Sequence, residues 1–309
     1  MTQRAWRWVP LAVSVAGAVG VSAQQTYRAG VDLVRLPVVV TSKDGQPVHG
    51  LGPEGFQITE EGRPQRVSYF VEGAPGEALP LHLGLLLDGS ESMDQDLGAA
   101  SNAAVTFIKQ LDEAVDVTLV DFDSTINVGR FTPDNYPRLF ARIRERKAAG
   151  GTSLYDALGV FVERTLGQTG QHLVLMYTDG GDSTSTMSYG KLQQLLRLGN
   201  VMVYVVGYLQ NQTMSERMTQ LVRLSGIAHE TGGEAFFPQS KEDLTEAYRR
   251  ILDELASRYT IGYVPSDPKV DGKFHKVAVK LAMPALKGAK VRTRPGYLAS
   301  TTPAAGGDR

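Results

Sequence analysis

The sequence predicts an α/β protein in which a mostly parallel central sheet, with helices on both faces, is inserted between two short β segments. Three observations point to this. Apolar residues alternate at period two near both ends of the described pattern, from Val34 to Val71 and from Tyr259 to Tyr297. Between them, short apolar runs alternate with stripes that repeat every three to four residues, the rhythm of strand and helix in turn. Finally, 42% apolar against 21% charged residues over 309 positions supplies enough apolar material for real cores.

Taken in order, Arg4 and Arg7 precede an apolar stretch from Val9 to Val21, and Val21-Ser22-Ala23 offers small residues before Gln24. This predicts a cleaved secretory signal over residues 1–23 and an extracytoplasmic protein, periplasmic or secreted. A retained anchor is the alternative, disfavoured because the run is shorter than the ~20 residues of a membrane span. Residues 26–75 form the first β segment: Val34, Leu36, Val38 and Val40 alternate, Lys43-Asp44-Gly45 and Glu61-Gly62 read as turns, and Phe56, Ile58, Val67, Tyr69 and Val71 continue the pattern. Residues 79–257 are expected to be the α/β domain. Its strands are the runs Leu83–Leu87, Val115–Phe122, Leu173–Tyr177 and Val201–Val206. Its helices carry the stripes Leu97/Ala100/Ala104/Phe107/Leu111, Leu154/Leu158/Phe161/Val162 and Leu244/Tyr248/Ile251/Leu252/Leu255. Residues 258–299 return to period two, and residues 300–309 are small and polar, expected to be disordered. Neither β segment has enough strands to bury a face alone, so the two are expected to pair into one small β-sandwich; two separate appendages packed on the α/β body are the other possibility.

Composition excludes several functions. With 32 basic and 33 acidic side chains the net charge is −1, which offers no basic field for nucleic acid. The absence of Cys removes disulfides, thiolate metal sites and a thiol nucleophile, and the five His do not pair at metal-ligand spacing. No Gly-x-Ser-x-Gly elbow or phosphate-binding loop is present, and His229-Glu230 lacks the second His of a zincin. A binding module, rather than an enzyme, is the expectation, with a structural envelope scaffold carrying a silent metal site as the alternative.

The chemistry concentrates after the first strand of the α/β domain, in Asp88-Gly89-Ser90-Glu91-Ser92. Ligands of open α/β sheets bind outside the carboxyl ends of strands, so this loop occupies the productive edge. Thr152, in Gly150-Gly151-Thr152-Ser153, and Asp179, in Tyr177-Thr178-Asp179-Gly180-Gly181, are expected at the same edge. Asp88, Ser90, Ser92, Thr152 and Asp179 are all oxygen donors, which suit a hard divalent cation, Mg²⁺ or a substitute such as Mn²⁺. Taken singly, Asp88 and Ser92 could be turn and cap residues and the Gly-Gly-Thr loop a connector; jointly, five such donors would have to converge by accident. A competing pattern is Asp121-Phe122-Asp123-Ser124-Thr125, the DxDxT of haloacid-dehalogenase-type phosphatases, with Asp121 as nucleophile and Asp123 as acid/base. That motif normally opens its domain, whereas here a strand and a helix precede it, and a polar turn between Val115–Phe122 and Ile126–Phe131 explains it more simply.

Asp-x-Ser-x-Ser, the Gly-Gly-Thr loop and Thr-Asp-Gly, in that order, resemble the metal-ion-dependent adhesion site of von Willebrand factor A domains, over about residues 79–257. The flanks, with Tyr259-Thr260-Ile261-Gly262-Tyr263 and Arg294-Pro295-Gly296-Tyr297, look like the A-domain-related proteins abundant in Acidobacteria. The resemblance implies a Rossmann-like domain in which Ser90 and Ser92 bind the cation directly, Thr152 binds it directly or moves on when a ligand arrives, and Asp88 and Asp179 act mainly through water. It also implies a protein partner that offers an Asp or Glu carboxylate to the cation. Integrin β-type A domains bind a second cation with acidic residues at the start of the first helix; here Asp94 and Asp96 stand nearby, separated by Gln95. The loop residues Glu91, Met93, Ser153 and Tyr155 are the expected partner-contacting set.

Overall fold

A computed structural model describes residues 33–73, 80–111, 113–283 and 286–299. The expected leader and disordered tail lie outside the described residues. The chain runs β1 (Val34–Thr41), β2 (Phe56–Glu60), β3 (Arg63–Gln65) and β4 (Val67–Glu72), and then enters the α/β domain. There it continues as β5 (Leu81–Asp88), α1 (Leu97–Gln110), β6 (Ala114–Phe122), β7 (Ile126–Phe131), α2 (Tyr136–Arg144), α3 (Leu154–Thr165), β8 (Gln171–Thr178), α4 (Tyr189–Leu198), β9 (Val201–Gly207), α5 (Met214–Thr231), β10 (Ala235–Phe236) and α6 (Lys241–Ser257). It closes with β11 (Tyr259–Tyr263), β12 (Phe274–Leu281), β13 (Lys290–Thr293) and β14 (Gly296–Leu298).

The central sheet has the order β10-β9-β8-β5-β6-β7 and is parallel except for β7, which forms an antiparallel hairpin with β6. The strands β5, β8 and β9 are almost wholly buried, as their unbroken apolar runs require of strands covered on both faces. Leu83, Leu85 and Leu87 of β5 face a core completed by α1, α2 and α6, while Leu86 faces a second core completed by α3, α4 and α5. Gly84 allows the close approach of α3: a Cβ there would stand 2.4 Å from the Phe161 ring.

The two β segments form shared sheets. β1, from the first segment, pairs antiparallel with β11 and β13 from the second, and β4 pairs with β11; this makes one four-stranded sheet. The other has the order β14-β12-β2-β3, with β2 of the first segment registered against β12 through Ile58↔Val279. Leu36, Val38, Tyr259 and Ile261 from one sheet and Phe56, Ile58, Val277 and Val279 from the other pack in a single core. The separate-appendage alternative is therefore corrected: both strands that flank β1 come from the segment that follows the α/β domain, and its own segment adds only a bridge at its end, where the Val48 amide donates to Val40 O.

A cluster of charges ties the sandwich to the domain inserted in it. Arg292 of β13 pairs with Glu254 of α6 and, at 3.1 Å, with Glu234, and the Tyr204 hydroxyl of β9 donates to Glu254 at 2.9 Å. Within the sandwich, His275 Nδ1 lies 2.9 Å from Glu60 Oε1 and Nε2 lies 3.2 Å from Asp271 Oδ1. Burial lowers the pKa of His275, but the hydrogen bonds and charges of Glu60 and Asp271 outweigh it, leaving the pKa above the ordinary 6.5. A histidine with a raised folded-state pKa contributes stability that is complete below the unfolded value and lost as pH rises through the folded value. Thermal melts should therefore show the wild type losing stability from about pH 6.5 upward, and His275→Gln should flatten that loss; an unchanged slope in the variant would assign the pH dependence elsewhere.

Candidate functional site

The strands fix the site by their topology. From β5 the chain passes over one face of the sheet, through α1, to β6; from β8 it passes over the opposite face, through α4, to β9. β5 and β8 are hydrogen-bonded neighbours, so their carboxyl ends diverge to opposite faces and leave a crevice between the loops that follow them. Asp88 is the last residue of β5, and Asp179 immediately follows β8.

Asp88 is 1% exposed. Its Oδ1 accepts from the Ser90 amide at 2.9 Å and its Oδ2 accepts from the Thr178 hydroxyl at 2.6 Å. Burial pushes its pKa up to about 6; the hydrogen bonds from Ser90 and Thr178 oppose the rise, and the charge of Asp179 adds to it. Ser90 Oγ and Ser92 Oγ are 3.1 Å apart, so the three alternating side chains of Asp88, Ser90 and Ser92 converge. The Asp179 Oδ1 accepts from the Gly181 amide at 3.1 Å, and Gly180 takes a left-handed φ of +84° to make the turn. A Cβ built on Gly181 would stand 3.4 Å from Asp179 Oδ1 and 4.0 Å from Thr152 Oγ1, so these two oxygens border one point.

Three loops are stitched together to hold this arrangement. The Glu91 amide donates to Gly150 O and the Ala149 amide to Gly89 O, joining the first loop to the Gly-Gly-Thr loop. Thr152 receives the Ser183 and Thr184 amides on its carbonyl and donates its own amide to Ser183 Oγ at 2.9 Å, which joins that loop to the one after β8. Gln212 Nε2 donates to the Asp179 carbonyl at 2.5 Å. All five expected donors thus lie at one edge. Among the described residues no three His, Asp or Glu side chains cluster as a metal site, and the donor set here is two carboxylates and three hydroxyls. Such hard oxygen donors, beside a buried carboxylate whose charge is costly without a counter-ion, fit a hard divalent cation.

Several other expectations change. Met93 is fully buried in the core, Ser153 is buried with its hydroxyl 2.7 Å from that of Thr184, and Tyr155 is buried with its hydroxyl accepting from Arg223 at 3.2 Å. These three are corrected from partner contacts to internal supports; Glu91 alone of that set is exposed. The rim is built instead by an open cleft of about 320 Å³ lined by Ser92, Asp96, Asp179, Asn211, Gln212 and Glu216 among others. Asp94 is exposed, whereas Asp96 faces the cleft, receives Asn211 Nδ2 at 3.4 Å and has its pKa raised by burial and then by Asp179. Asp121 Oδ1 accepts from Arg146 Nε at 2.6 Å, and Asp123 Oδ1 closes the β6–β7 turn through the amide and hydroxyl of Thr125. Both carboxylates of the DxDxT pattern are thus engaged in structure, as a polar hairpin turn requires. Thr178 and Arg146 were not assigned roles from sequence; Thr178 stood in the Thr-Asp-Gly motif, while Arg146, which also donates to Leu87 O at 2.8 Å, carried no local signal.

The family model of the von Willebrand factor type A domain matches residues 82–254. No curated protein matches the sequence. Solved structures similar to the chain include a von Willebrand factor type A protein from Catenulispora acidiphila, at 13% identity over 89% of this chain and 75% of that one, with a TM-score of 0.46. A mutant of the PilB minor pilin from Streptococcus sanguinis matches at 14% identity over 59% of this chain, with a TM-score of 0.46; this chain spans 63% of it. The SpaC pilus adhesin of Lactobacillus rhamnosus GG matches at 9% identity over 85% of this chain and 49% of that one, with a TM-score of 0.47.

The support given by Thr178 can be measured directly. Thr178→Val keeps the shape but leaves a buried Asp88 oxygen and the Gly180 amide without their partner. Urea unfolding should show a loss of about 1–3 kcal/mol; no loss would mean that Asp88 Oδ2 is solvated in the folded protein.

Proposed function

Because the chain belongs to the von Willebrand factor type A domain family, we propose that it is an extracytoplasmic binding module that captures a partner protein through a divalent cation held at the β5–β8 crevice. Ser90, Ser92 and Thr152 would hold Mg²⁺, or Mn²⁺, directly, with Asp88 and Asp179 acting through water. With no protein carboxylate in direct contact, the cation would remain electrophilic and would supply a site for an Asp or Glu side chain of the partner. What supports this reading is that Asp88, buried at the end of β5, meets Ser90 and Ser92, while Asp179 and Thr152 border one point on the loops tied to theirs. The placement outside the cytoplasm rests on the leader pattern of residues 1–23. Among the described residues no helix is long and apolar enough to cross a membrane.

A buried carboxyl with a raised pKa has a definite linkage sign. The folded protein disfavours the Asp88 anion, so without a cation stability falls as pH rises from 3.8 through about 6. A bound cation reverses this by favouring the anion. In chelator at about pH 7.5, Asp88→Asn should therefore melt above the wild type, while Mg²⁺ should raise the melting temperature of the wild type and leave the variant unmoved. Indifference of the wild type to millimolar Mg²⁺ would remove the cation from the site.

Partner capture is a separate test. Pull-down from the native envelope should succeed in Mg²⁺ and fail in chelator, and Ser90→Ala or Asp179→Ala should weaken it by roughly 2–5 kcal/mol, the scale of a lost buried charged contact. Binding that persists at unchanged affinity in chelator and in both variants would place the interface elsewhere.

A further inference from the structure

We propose that Ser124 and Ser183 are positioning residues of the cation site: their hydroxyls hold the Gly-Gly-Thr loop from two sides and thereby fix the place of the Thr152 oxygen. This rests on the cation reading above and adds to it two residues outside the five-donor set. Ser124 belongs to the Asp121–Thr125 turn between β6 and β7, the pattern left without a role once its carboxylates proved to be structural. Ser183 lies in the loop after β8 that also carries Asp179.

Successive amides of the Gly-Gly-Thr loop find their acceptors in other loops. The Gly151 amide donates to Ser124 Oγ at 2.7 Å, the Thr152 amide to Ser183 Oγ at 2.9 Å and the Ser153 amide to Asp123 O at 2.9 Å. The two glycines let the serines come this close. Gly150 has a left-handed φ of +69°, and a Cβ on it would stand 2.8 Å from Ser124 Oγ; a Cβ on Gly151 would stand 2.8 Å from Ser183 Oγ. Each glycine thus makes room for one serine. The Asp121–Thr125 turn also receives the Gly89 amide on Phe122 O at 2.7 Å, so it carries the first loop, with Ser90 and Ser92, and the Gly-Gly-Thr loop together. The place of Thr152 relative to the two serine donors is therefore set through this turn on one side and through Ser183 on the other.

Anchoring the backbone matters because a neutral hydroxyl serves a cation only while its oxygen is held in place. A site that is assembled part of the time binds more weakly by the fraction of time it is assembled. Removing one anchor frees the loop to turn Thr152 away, and the loss of one net hydrogen bond changes that fraction by roughly two- to tenfold. Both serines are exposed, so neither hydroxyl is needed to complete a core, and replacing a surface side chain of this kind leaves global stability nearly unchanged. Affinity for the cation and stability without it are thereby separable.

The test is a titration of the full chain with Mn²⁺ followed by electron paramagnetic resonance, together with amide hydrogen exchange and thermal melts in chelator. Ser124→Ala and Ser183→Ala should each weaken Mn²⁺ binding roughly two- to tenfold at an unchanged melting temperature in chelator. In the same metal-free state, exchange should quicken at the Gly151 amide in the first variant and at the Thr152 amide in the second. Ser124→Thr, which keeps the hydroxyl, should bind Mn²⁺ as the wild type does. Because the serines act through Thr152, Ser124→Ala should cause no further loss in a Thr152→Ala background, where a merely structural role would add its full effect. Unchanged affinity in both alanine variants, equal losses in Ser124→Ala and Ser124→Thr, or a full additional loss on top of Thr152→Ala would each overturn this proposal while the cation reading stands. A wild type that takes up no Mn²⁺, by contrast, would remove the cation itself and both positioning roles with it.

Discussion

A carboxylate at the end of a fully covered strand is the constraint around which this molecule is organised. β5 has a hydrogen-bonded neighbour on each side and helices on both faces, so Asp88 at its end sits where solvent hardly reaches. An anion there needs donors, and the loops supply them: an amide from its own turn and a hydroxyl from the end of β8. Those donors reduce the cost of the charge without cancelling it, since the carboxyl still titrates near 6. A fold optimised only for stability would have placed an apolar residue or an amide at this position. In the proposed function, that buried charge, beside hydroxyls and an open cleft, is what a bound cation would neutralise.

The opposite edge of the same sheet is bounded differently. There the sandwich packs against the strand beginnings, and its strands come from both sides of the inserted domain. Because the strands beside β1 are β11 and β13, its sheet is complete only where the chain on either side of the α/β domain comes together. The Arg292–Glu254–Tyr204 cluster joins β13 to α6 and β9 across the boundary. The strand beginnings carry paired charges, with Asp116 between His82 and Arg130 and Glu113 beside Arg258, whereas the carboxyl ends gather two carboxylates and hydroxyls around an open cleft.

Local signals differed in how far they could be trusted. The stripes of α1, α3 and α6 are strict, and those helices form where the stripes run. α5 was not anticipated, although its ends are marked: Thr213 and Glu216 form a capping box and Gly232 closes it at φ +81°. Its apolar stripe is interrupted because much of the helix faces solvent, with Met214, Met218 and Val222 exposed, and periodicity alone therefore understates it. The misplaced rim residues have the same kind of cause. Met93 and Ser153 adjoin Ser92 and Thr152 in sequence but turn inward, and Tyr155, on the first turn of α3, packs into the core that this helix completes.

What the sequence determined by itself is the alternation of strand and helix, the period-two flanks and the residues of the three loop motifs, because each depends on neighbours within a few positions. Gly84, inside a strand run, and Thr178, inside a loop motif, were legible as residues, but their purposes, admitting Phe161 and holding Asp88, depend on partners 77 and 90 positions away. Only the tertiary structure decided that β1 crosses to the far end of the chain for its neighbours and that Arg146 reaches back to Asp121 and Leu87. The physical reason is that hydrogen-bond satisfaction and burial are properties of space: a sequence specifies which groups must be paired, and the packing of distant segments settles with what.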